Sequence, residues 1–432
     1  MEGNTSDVKE TKQISVDISM KSVGKWLPII AIIIIMILSM HIRLVGFYDN
    51  NWPYLRNIDS FYFMREMGEI VDNNGVLPSH DVLRFAPDGF ERNVPSLYSY
   101  IGAYSYSFFK MFMPDMELWQ FLIWFPALLG SLVAIPAYFI GSHLLNKKAG
   151  VLTAIFMVFA IPFLSRSLGG DPDSDAIVML LLLASIAGFL ITYKNLNKGK
   201  LLAWKNIIYP AITGVILGLF ALTWVGYWFA FVLIIGFIVL KFIFDFIMTK
   251  KHDLGHLKNV WYKNKTLIFA FVVLLIAFYV ITLPVFGAKF AANPFTAAFG
   301  SIGETEKIKG EVEEFPNVFV SVAEMQSGGD LRDVAIRAGS IDIASQASGI
   351  PMALIILISP FLLTIGCFVF LFYAYWKRRE HFDTLLIMLI WFVGFLVAST
   401  VAVRFTIFIS PVYAICSAIF LAKLWDVLIK KE

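Results

Sequence analysis

The fold of this chain is decided by long apolar runs, the first of which reads WLPIIAIIIIMILSMHIRL at residues 26–44. A helix that crosses a bilayer needs roughly 20 mainly apolar residues. The run is too long for the core of a signal peptide, and no small-residue cleavage site follows it. We therefore interpret it as a retained first membrane span, preceded by a polar cytoplasmic tail over residues 1–25.

The composition of the 432 residues also indicates a membrane protein. Hydrophobic residues make up 58% of the chain and charged residues only 16%, whereas a soluble domain is about a quarter charged. Cys367 and Cys416 lie in apolar runs, and neither a zinc-ligand pattern nor a nucleotide-binding glycine motif occurs. These features argue against a soluble nucleotide-dependent enzyme, and a net charge of only +3 gives no reason to expect a nucleic-acid partner.

The apolar runs predict an all-α polytopic membrane protein with about ten transmembrane helices. One multi-spanning domain would cover residues 26–432. The predicted spans lie at about 26–46, 118–143, 148–165, 174–193, 206–222, 224–247, 266–286, 350–376, 384–401 and 404–425.

Basic residues in the short connecting segments predict the orientation, because lysine and arginine are enriched in cytoplasmic loops. They cluster at residues 147–148, 194–200, 250–263, 377–379 and 430–431. These segments alternate with the spans, so all of them and both termini fall on the cytoplasmic side. Two long segments, at about 47–117 and 287–349, are then external. We expect a multi-pass protein of the cell membrane whose active site is external.

The strongest local signal for chemistry is RSLGGDPDSD at residues 166–175. Its carboxylates Asp171, Asp173 and Asp175 stand at alternate positions immediately before a span. Carboxylates so close together repel one another unless a cation neutralises them, and hard oxygen ligands suit magnesium, manganese or calcium. Alternatively, Asp173 or Ser174 caps the following helix. The spacing alone leaves both interpretations open.

Two further carboxylates lie in the segments that are predicted to be external. Asp59, within RNIDSFY at residues 56–62, follows the first span and taken alone would be a surface aspartate or a helix cap. Glu324 lies in the apolar context VFVSVAEMQ at residues 318–326, where a carboxylate is either dangling or coordinated.

Two arginines share the predicted external face. Arg404 stands among apolar residues at the external end of the last span, where a cation needs a partner or a water-filled cavity. Arg166 raises the same question, and the partner is either an acidic side chain of the bundle or a phosphate. Nearby, Trp224 and Tyr227 either line an external pocket or belong to an aromatic belt at the membrane surface.

Carboxylates and arginines that are far apart in the sequence thus map to one face. A carboxylate-bound cation beside arginines suits a phosphate or pyrophosphate leaving group, because it stabilises the negative charge that develops there. A polyprenyl-phosphate-linked sugar presents such a group to a membrane enzyme from the lipid side. A transporter is disfavoured, since no convincing carboxylate lies at mid-membrane.

An ordered series of short motifs runs through most of the chain. It comprises IDSFY at 58–62, PDG at 87–89, SRSLGGDPDSD at 165–175, TWVGY at 223–227, SVAE at 321–324 and RFTI at 404–407. In this series the chain resembles the catalytic subunit of oligosaccharyltransferase, particularly the archaeal single-subunit type, a C-type glycosyltransferase.

The resemblance implies a metal-dependent enzyme with defined site residues. Asp59, Asp173 and Asp175 would hold Mn²⁺ or Mg²⁺, and Glu324 would complete the site from the second long segment. Asp59 and Glu324 would also engage and polarise the acceptor amide nitrogen, so the catalytic residues implied are Asp59, Asp173 and Glu324.

The resemblance also implies the substrates. Arg404, with Arg166, would hold the phosphate of a glycan donor on a polyprenyl (dolichyl) phosphate or diphosphate in the bilayer, and the acceptor would be a protein asparagine. Two features depart from the family. The tryptophan-rich WWDYG motif that reads the acceptor sequence does not occur before the chain stops at residue 432. Only two spans, where the family usually has four, are predicted between Trp224 and Glu324.

These departures leave the acceptor open. A separate acceptor-recognising partner would restore recognition of a protein or peptide. One alternative is a transferase that adds a single lipid-linked sugar to a glycan or a lipid. Another is a non-catalytic paralogue that binds lipid-linked glycan.

Overall fold

A computed structural model describes residues 20–48, 54–92, 97–248, 254–296, 329–338 and 359–429. These residues form an assembly of α-helices, and the strands among them make a single two-stranded hairpin. The all-α polytopic architecture that the sequence predicts is confirmed.

Seven helices precede the acidic stretch at residues 166–175 in the described part of the chain. The first is a long span, and the fourth and fifth together form another, Leu118–Leu144. The seven are α1 (Met20–Tyr48), α2 (Ile58–Asp72), α3 (Leu97–Lys110), α4 (Leu118–Leu132), α5 (Ala134–Leu144), α6 (Lys147–Val158) and α7 (Ile161–Leu164). Between α2 and α3 the antiparallel strands β1 (His80–Asp81) and β2 (Phe90–Glu91) form the hairpin.

The helices that follow the acidic stretch are mostly spans. They are α8 (Asp175–Asn195), α9 (Lys205–Thr223), α10 (Trp228–Ile247), α11 (Leu254–Phe286), α12 (Leu331–Ala338), α13 (Pro360–Arg378), α14 (Phe382–Val401) and α15 (Ser410–Ile429). Short 3-10 turns occupy Val225–Tyr227, Ala288–Ala292 and Val403–Ile409. The predicted division of the apolar stretch 206–247 is confirmed, because α9 ends just before the first of these turns and α10 begins just after it.

Nine helical stretches of the described residues are long and apolar enough to cross a membrane. They overlap nine of the ten predicted spans. The other prediction, 148–165, corresponds to α6 and the short α7 in place of one continuous helix. Pro162 stands near the start of α7, where proline is tolerated because the first N–H groups of a helix have no partner within it.

Helix α8 lies at the centre of the bundle. It packs against α4, α5, α9 and α10, and Met179, Leu182 and Ile186 contribute to the main hydrophobic core. Helix α15 is also buried over most of its length, whereas α1 and α13 are largely exposed. The acidic stretch therefore leads directly into a central helix.

The first long segment between spans folds into α2, the hairpin and α3. Met67 and Ile70 of α2 are buried, and so is the carboxylate of Glu66. Glu66 accepts hydrogen bonds from the hydroxyls of Tyr62 at 2.5 Å and Ser99 at 2.6 Å. Helix α2 is thus packed against α3 and α4, so its position relative to the spans is fixed.

Buried ion pairs hold the hairpin against α2. Asp81 is 2% exposed and accepts hydrogen bonds from the Arg65 guanidinium at 2.6 and 2.7 Å and from Arg92 at 3.0 Å. Arg92 also pairs with Glu69 at 2.8 Å. The hydrogen bonds from Arg65 hold the pKa of Asp81 well below its usual range. The network therefore fixes the hairpin to the helix whose first turn carries Asp59.

Candidate active site

Residues 165–175, which we call the acidic loop, connect α7 to the first residue of α8. The N–H of Gly169 donates to the carbonyl of Arg43 in α1 at 2.9 Å, and the N–H of Gly170 donates to the carbonyl of Ile123 in α4 at 3.1 Å. Gly170 has φ +80°, and a Cβ there would lie 3.2 Å from the ring of Phe47. Glycine suits this position because it adopts left-handed conformations readily. The loop is therefore anchored to two neighbouring spans.

The segment that leads into α2 lies against the acidic loop. The N–H of Arg56 donates to the carbonyl of Gly170 at 2.9 Å. The hydroxyl of Ser60 donates to Oδ1 of Asp171 at 3.1 Å, although 111 residues separate the two in sequence. Asp59 directly precedes Ser60, so the structure brings the two predicted acidic motifs together.

Burial and like charge raise the pKa of two carboxyl groups in the loop. For Asp171 burial is the main cause, the charge of Asp59 acts in the same direction, and the hydrogen bond from Ser60 opposes them. For Asp173 burial again comes first, and the charges of Asp59 and Asp171 add to it. The N–H of Ser174 donates to Asp173 at 2.5 Å and opposes the increase. The negative charges are therefore close enough to repel one another.

Asp175 and Arg166 form a loose ion pair across the loop. The guanidinium of Arg166 lies 3.8 Å from Oδ2 of Asp175, so an acidic partner for this arginine is present. Asp175 is the first residue of α8, where the helix dipole favours a negative charge. Ser174 occupies the N-cap position without a side-chain capping bond, so the capping interpretation accounts for the position of Ser174 but not for the neighbouring carboxylates.

Tyr98 of α3 places a fully buried phenol beside the loop. Its ring packs against Phe63 and Phe125 with centroid distances of 4.9 and 5.6 Å. Burial, followed by the charge of Asp173, raises the pKa of Tyr98 well above its usual value, so the phenol stays protonated and can donate. Its hydroxyl has no hydrogen-bond partner among the described residues. A buried donor of this kind suits an oxygen ligand or a water molecule at the loop.

The donor atoms fit a divalent cation in their chemistry. Asp59 and the acidic loop supply carboxylate oxygens, which Mg²⁺ and Mn²⁺ prefer. Asp59 is exposed, whereas Asp171 and Asp173 are half-buried, and burial penalises the free anions of these two loop residues. Within the described part of the chain, no three His, Cys, Asp or Glu side chains are grouped closely enough to hold a metal ion. Glu324, the remaining predicted ligand, lies outside the described residues. The metal site therefore stays a prediction.

Arg404 lies in the 3-10 turn Val403–Ile409, which connects α14 to α15, and its side chain is half-buried. Helix α12 of the second long segment packs against this turn, and so does α7. Because α7 leads directly to Arg166 and the acidic loop, Arg404 lies at the same end of the bundle as the carboxylates. The structure therefore gathers the predicted charged groups that it describes at one end.

The two aromatic residues that are predicted to line a pocket make packing contacts. Trp224 stacks on Phe408 with a centroid distance of 5.2 Å, so it supports the turn that carries Arg404. Tyr227 is 2% exposed, and its hydroxyl donates to Oδ1 of Asn293 at 2.5 Å. A role of these residues in a pocket stays a prediction.

The sequence patterns do not single out one charged residue that contacts the loop, Arg43. Arg43 is 1% exposed, and its guanidinium donates to the hydroxyl of Ser167 and to the carbonyl of Val158, both at 2.9 Å. The sequence does contain a signal for this role, because an arginine inside an apolar span is costly and indicates a specific partner. Its position near the end of the run also suits an ordinary flanking residue that reaches towards water.

Comparisons with known proteins agree with the motif series. The family model described as oligosaccharyl transferase STT3, N-terminal, matches residues 27–431. The chain is 23% identical over 457 aligned residues to the dolichyl-phosphooligosaccharide-protein glycotransferase of Methanocaldococcus jannaschii, covering 86% of this chain and 46% of that protein. It is 26% identical over 267 residues to the dolichyl-phosphooligosaccharide-protein glycotransferase 1 of Pyrococcus furiosus, covering 61% of this chain and 26% of that protein.

A solved structure shares the fold. The oligosaccharyltransferase AglB from Archaeoglobus fulgidus, in complex with an inhibitory peptide and a dolichol-phosphate, superposes with a TM-score of 0.63 at 19% identity, over 94% of this chain and 51% of that one. The chain thus spans about half the length of this structure and of the Methanocaldococcus relative.

The fold and the site define a class of polytopic α-helical membrane proteins that gather carboxylates and arginines at one end of the bundle. Within this class, the chain belongs to the oligosaccharyl transferase STT3 family, whose model covers nearly all of it. The family resemblance that the motifs indicate is confirmed.

Proposed function

We propose that this chain is a membrane glycosyltransferase that moves a glycan from a polyprenyl (dolichyl) phosphate or diphosphate to an asparagine of a protein or peptide. The observation that carries the proposal is the hydrogen bond between Ser60 and Asp171, because it joins the Asp59 motif to the acidic loop. Family membership supports the same reaction. Relatives are named dolichyl-phosphooligosaccharide-protein glycotransferases, and the similar solved structure contains a peptide and a dolichol-phosphate.

In this proposal the carboxylates hold Mn²⁺ or Mg²⁺. Asp59, Asp173 and Asp175 are the ligands, and Glu324 completes the set. The cation would neutralise these carboxylates and stabilise the negative charge that develops on the leaving phosphate. Asp59 and Glu324 also accept hydrogen bonds from the acceptor amide nitrogen, which orients it towards the glycan.

The two arginines bind the phosphate of the donor. A guanidinium offers parallel N–H donors that match phosphate oxygens, and Arg404 lies in a turn that packing holds in place. Arg166 is 3.8 Å from Asp175, longer than a charge-assisted hydrogen bond of about 2.7–2.9 Å. An arriving phosphate can therefore compete with Asp175 for this guanidinium.

We further infer that this end of the bundle faces the outside of the cell membrane. The inference is supported by the basic segments at the opposite end, which are typical of cytoplasmic loops. A lipid-linked donor would reach the acidic loop from the outer leaflet, and the acceptor would reach it from the aqueous side.

The proposal is tested with the purified full chain in lipid nanodiscs, Mn²⁺, a dolichyl-linked oligosaccharide and a fluorescent peptide containing Asn-x-Thr. We expect glycopeptide, detected by gel shift and mass spectrometry. Asp173→Asn should slow its formation by roughly two orders of magnitude or more, the size of a lost electrostatic stabiliser. Asp115→Asn is the matched control, because Asp115 is an exposed carboxylate in the connection between α3 and α4.

Two results would contradict parts of the proposal. Unchanged transfer by Asp173→Asn would refute the assignment of the site. Transfer of the glycan to an added sugar or lipid, with no glycopeptide, would refute asparagine as the acceptor and favour the alternative transferase.

A further inference from the structure

We propose that Arg43 is a positioning residue that holds the acidic loop in shape from within the first span. The inference concerns the loop itself and depends on the proposed function only for what the loop binds. Arg43 lies on α1 and is 1% exposed, so its guanidinium interacts with protein groups and not with bulk water.

The guanidinium connects three parts of the chain. Its Nε donates to the hydroxyl of Ser167 in the acidic loop at 2.9 Å. One terminal nitrogen donates to the hydroxyl of Ser39, one turn earlier in α1, at 2.6 Å. The other donates to the carbonyl of Val158, the last residue of α6, at 2.9 Å. Arg43 therefore fixes the loop relative to both the first span and the end of α6.

The main chain of Arg43 holds the same loop at a second point. Its carbonyl accepts the N–H of Gly169 at 2.9 Å. The hydroxyl of Ser167, which accepts from the Arg43 side chain, in turn donates to the carbonyl of Phe163 at 2.8 Å. The loop is thus bound at residues 167 and 169, just before Asp171.

The guanidinium is also enclosed tightly. A Cβ added to Gly130 of α4 would lie 2.6 Å from Nε of Arg43, so a glycine makes room for the side chain. The ring of Phe163 lies 5.2 Å from the guanidinium carbon. These contacts leave the side chain little freedom, and a planar group with donors in three directions is needed to reach all three oxygens.

A purely structural alternative predicts a different result from a positioning role. If Arg43 only packs α1 against its neighbours, its loss would weaken the bundle as a whole. If Arg43 positions the loop, its loss would act mainly on residues 165–175. Hydrogen exchange followed by mass spectrometry distinguishes these cases, because it measures the opening of each segment separately.

The experiment compares the full chain with Arg43→Met, Arg43→Lys and Lys241→Met. Lys241 is the control, because it is a partly buried cation that pairs with Asp383 at 2.7 Å near the opposite end of the bundle. We expect Arg43→Met to speed exchange in peptides over 165–175 at least tenfold, with a smaller increase for Arg43→Lys and none for Lys241→Met. Equal acceleration across the bundle, or an unchanged loop, would overturn the inference.

A second readout separates this inference from the proposed function. Mn²⁺ binding is titrated by electron paramagnetic resonance in the wild type, Arg43→Met and Ser167→Ala. Loss of a group that orients metal ligands typically weakens binding about 10–100-fold, and we expect this for Arg43→Met with a smaller effect for Ser167→Ala. If the wild type binds no Mn²⁺ but the loop exchange responds to Arg43→Met, the metal part of the proposed function fails and the positioning role stands. Mn²⁺ binding that is equally tight in Arg43→Met would overturn the positioning role.

Discussion

Replacing Asp81 by asparagine should loosen the first long segment between spans strongly. Asp81 is 2% exposed and is held by Arg65 and Arg92 at 2.6–3.0 Å. Removing one partner of a buried ion pair costs about 3–5 kcal/mol, because the other charge is left without its counter-ion. Arg65 retains Glu69 at 3.0 Å and is 27% exposed. We therefore expect Asp81→Asn to lower the free energy of opening of this segment by an amount near the lower limit, about 3 kcal/mol.

The ion pairs also predict a pH dependence with a definite sign. Arg65 depresses the pKa of Asp81 in the folded segment, relative to about 4 for an unfolded aspartate. The contribution of Asp81 is therefore complete above the unfolded value and is lost as the pH falls through the folded value. The part of the segment's stability that Asp81 contributes should be constant between about pH 5 and pH 8 and should fall below about pH 4. Asp81→Asn should be less sensitive to acid.

Hydrogen exchange over residues 54–92 measures the free energy of local opening. The control is Glu91→Gln on the same hairpin, because the pair between Glu91 and His80 has exposed side chains, 66% for the glutamate. An exposed pair contributes at most about 1 kcal/mol. The reasoning is refuted if Asp81→Asn destabilises the segment no more than Glu91→Gln does.

Two other substitutions test the surroundings of the acidic loop. Gly170→Ala should lower the Tm and slow transfer, because it forces a Cβ into a left-handed conformation at a cost of about 1–2 kcal/mol beside Phe47. Gly394→Ala is the control, because it lies within α14 and an added Cβ there meets nothing within 4 Å. It should not slow transfer and should not lower the Tm, since alanine is favoured over glycine inside a helix by about 0.5–1 kcal/mol. Tyr98→Phe should raise the Tm of the metal-free protein, since an unpaired buried hydroxyl costs about 1–3 kcal/mol, and should weaken Mn²⁺ binding. A lower Tm would contradict the assignment of the Tyr98 hydroxyl as an unpaired buried donor.

Hydropathy predicts the spans because a bilayer imposes both a length and an apolar surface on each helix. The spans predicted at 118–143 and 174–193 and the break after Thr223 depend on these demands alone. Counting spans also predicts that Arg404 and the acidic loop share one end of the bundle, since each crossing reverses the direction of the chain.

The contacts that shape the site could not be predicted in this way. The hydrogen bonds of Arg43 to Ser167 and of Ser60 to Asp171 join residues whose local sequence would look the same if they were exposed. Their pairing depends on how α1, α2 and α7 pack, and hydropathy carries no information about that. Similarly, residues 148–165 are apolar enough for one span, and only the detailed backbone shows that Pro162 belongs to a new helix.

The shortness of α6 affects the depth at which a lipid substrate would meet the protein. Its 12 residues rise about 18 Å, against about 30 Å of hydrocarbon. If α6 begins at the cytoplasmic surface, the acidic loop after α7 would begin nearer the bilayer centre than it would after an uninterrupted span. Under the proposed function, the headgroup of a polyprenyl-linked donor would then meet the loop below the level of bulk water, where charges are screened less. Such a position would favour substrates delivered by lateral diffusion over those that must leave the lipid.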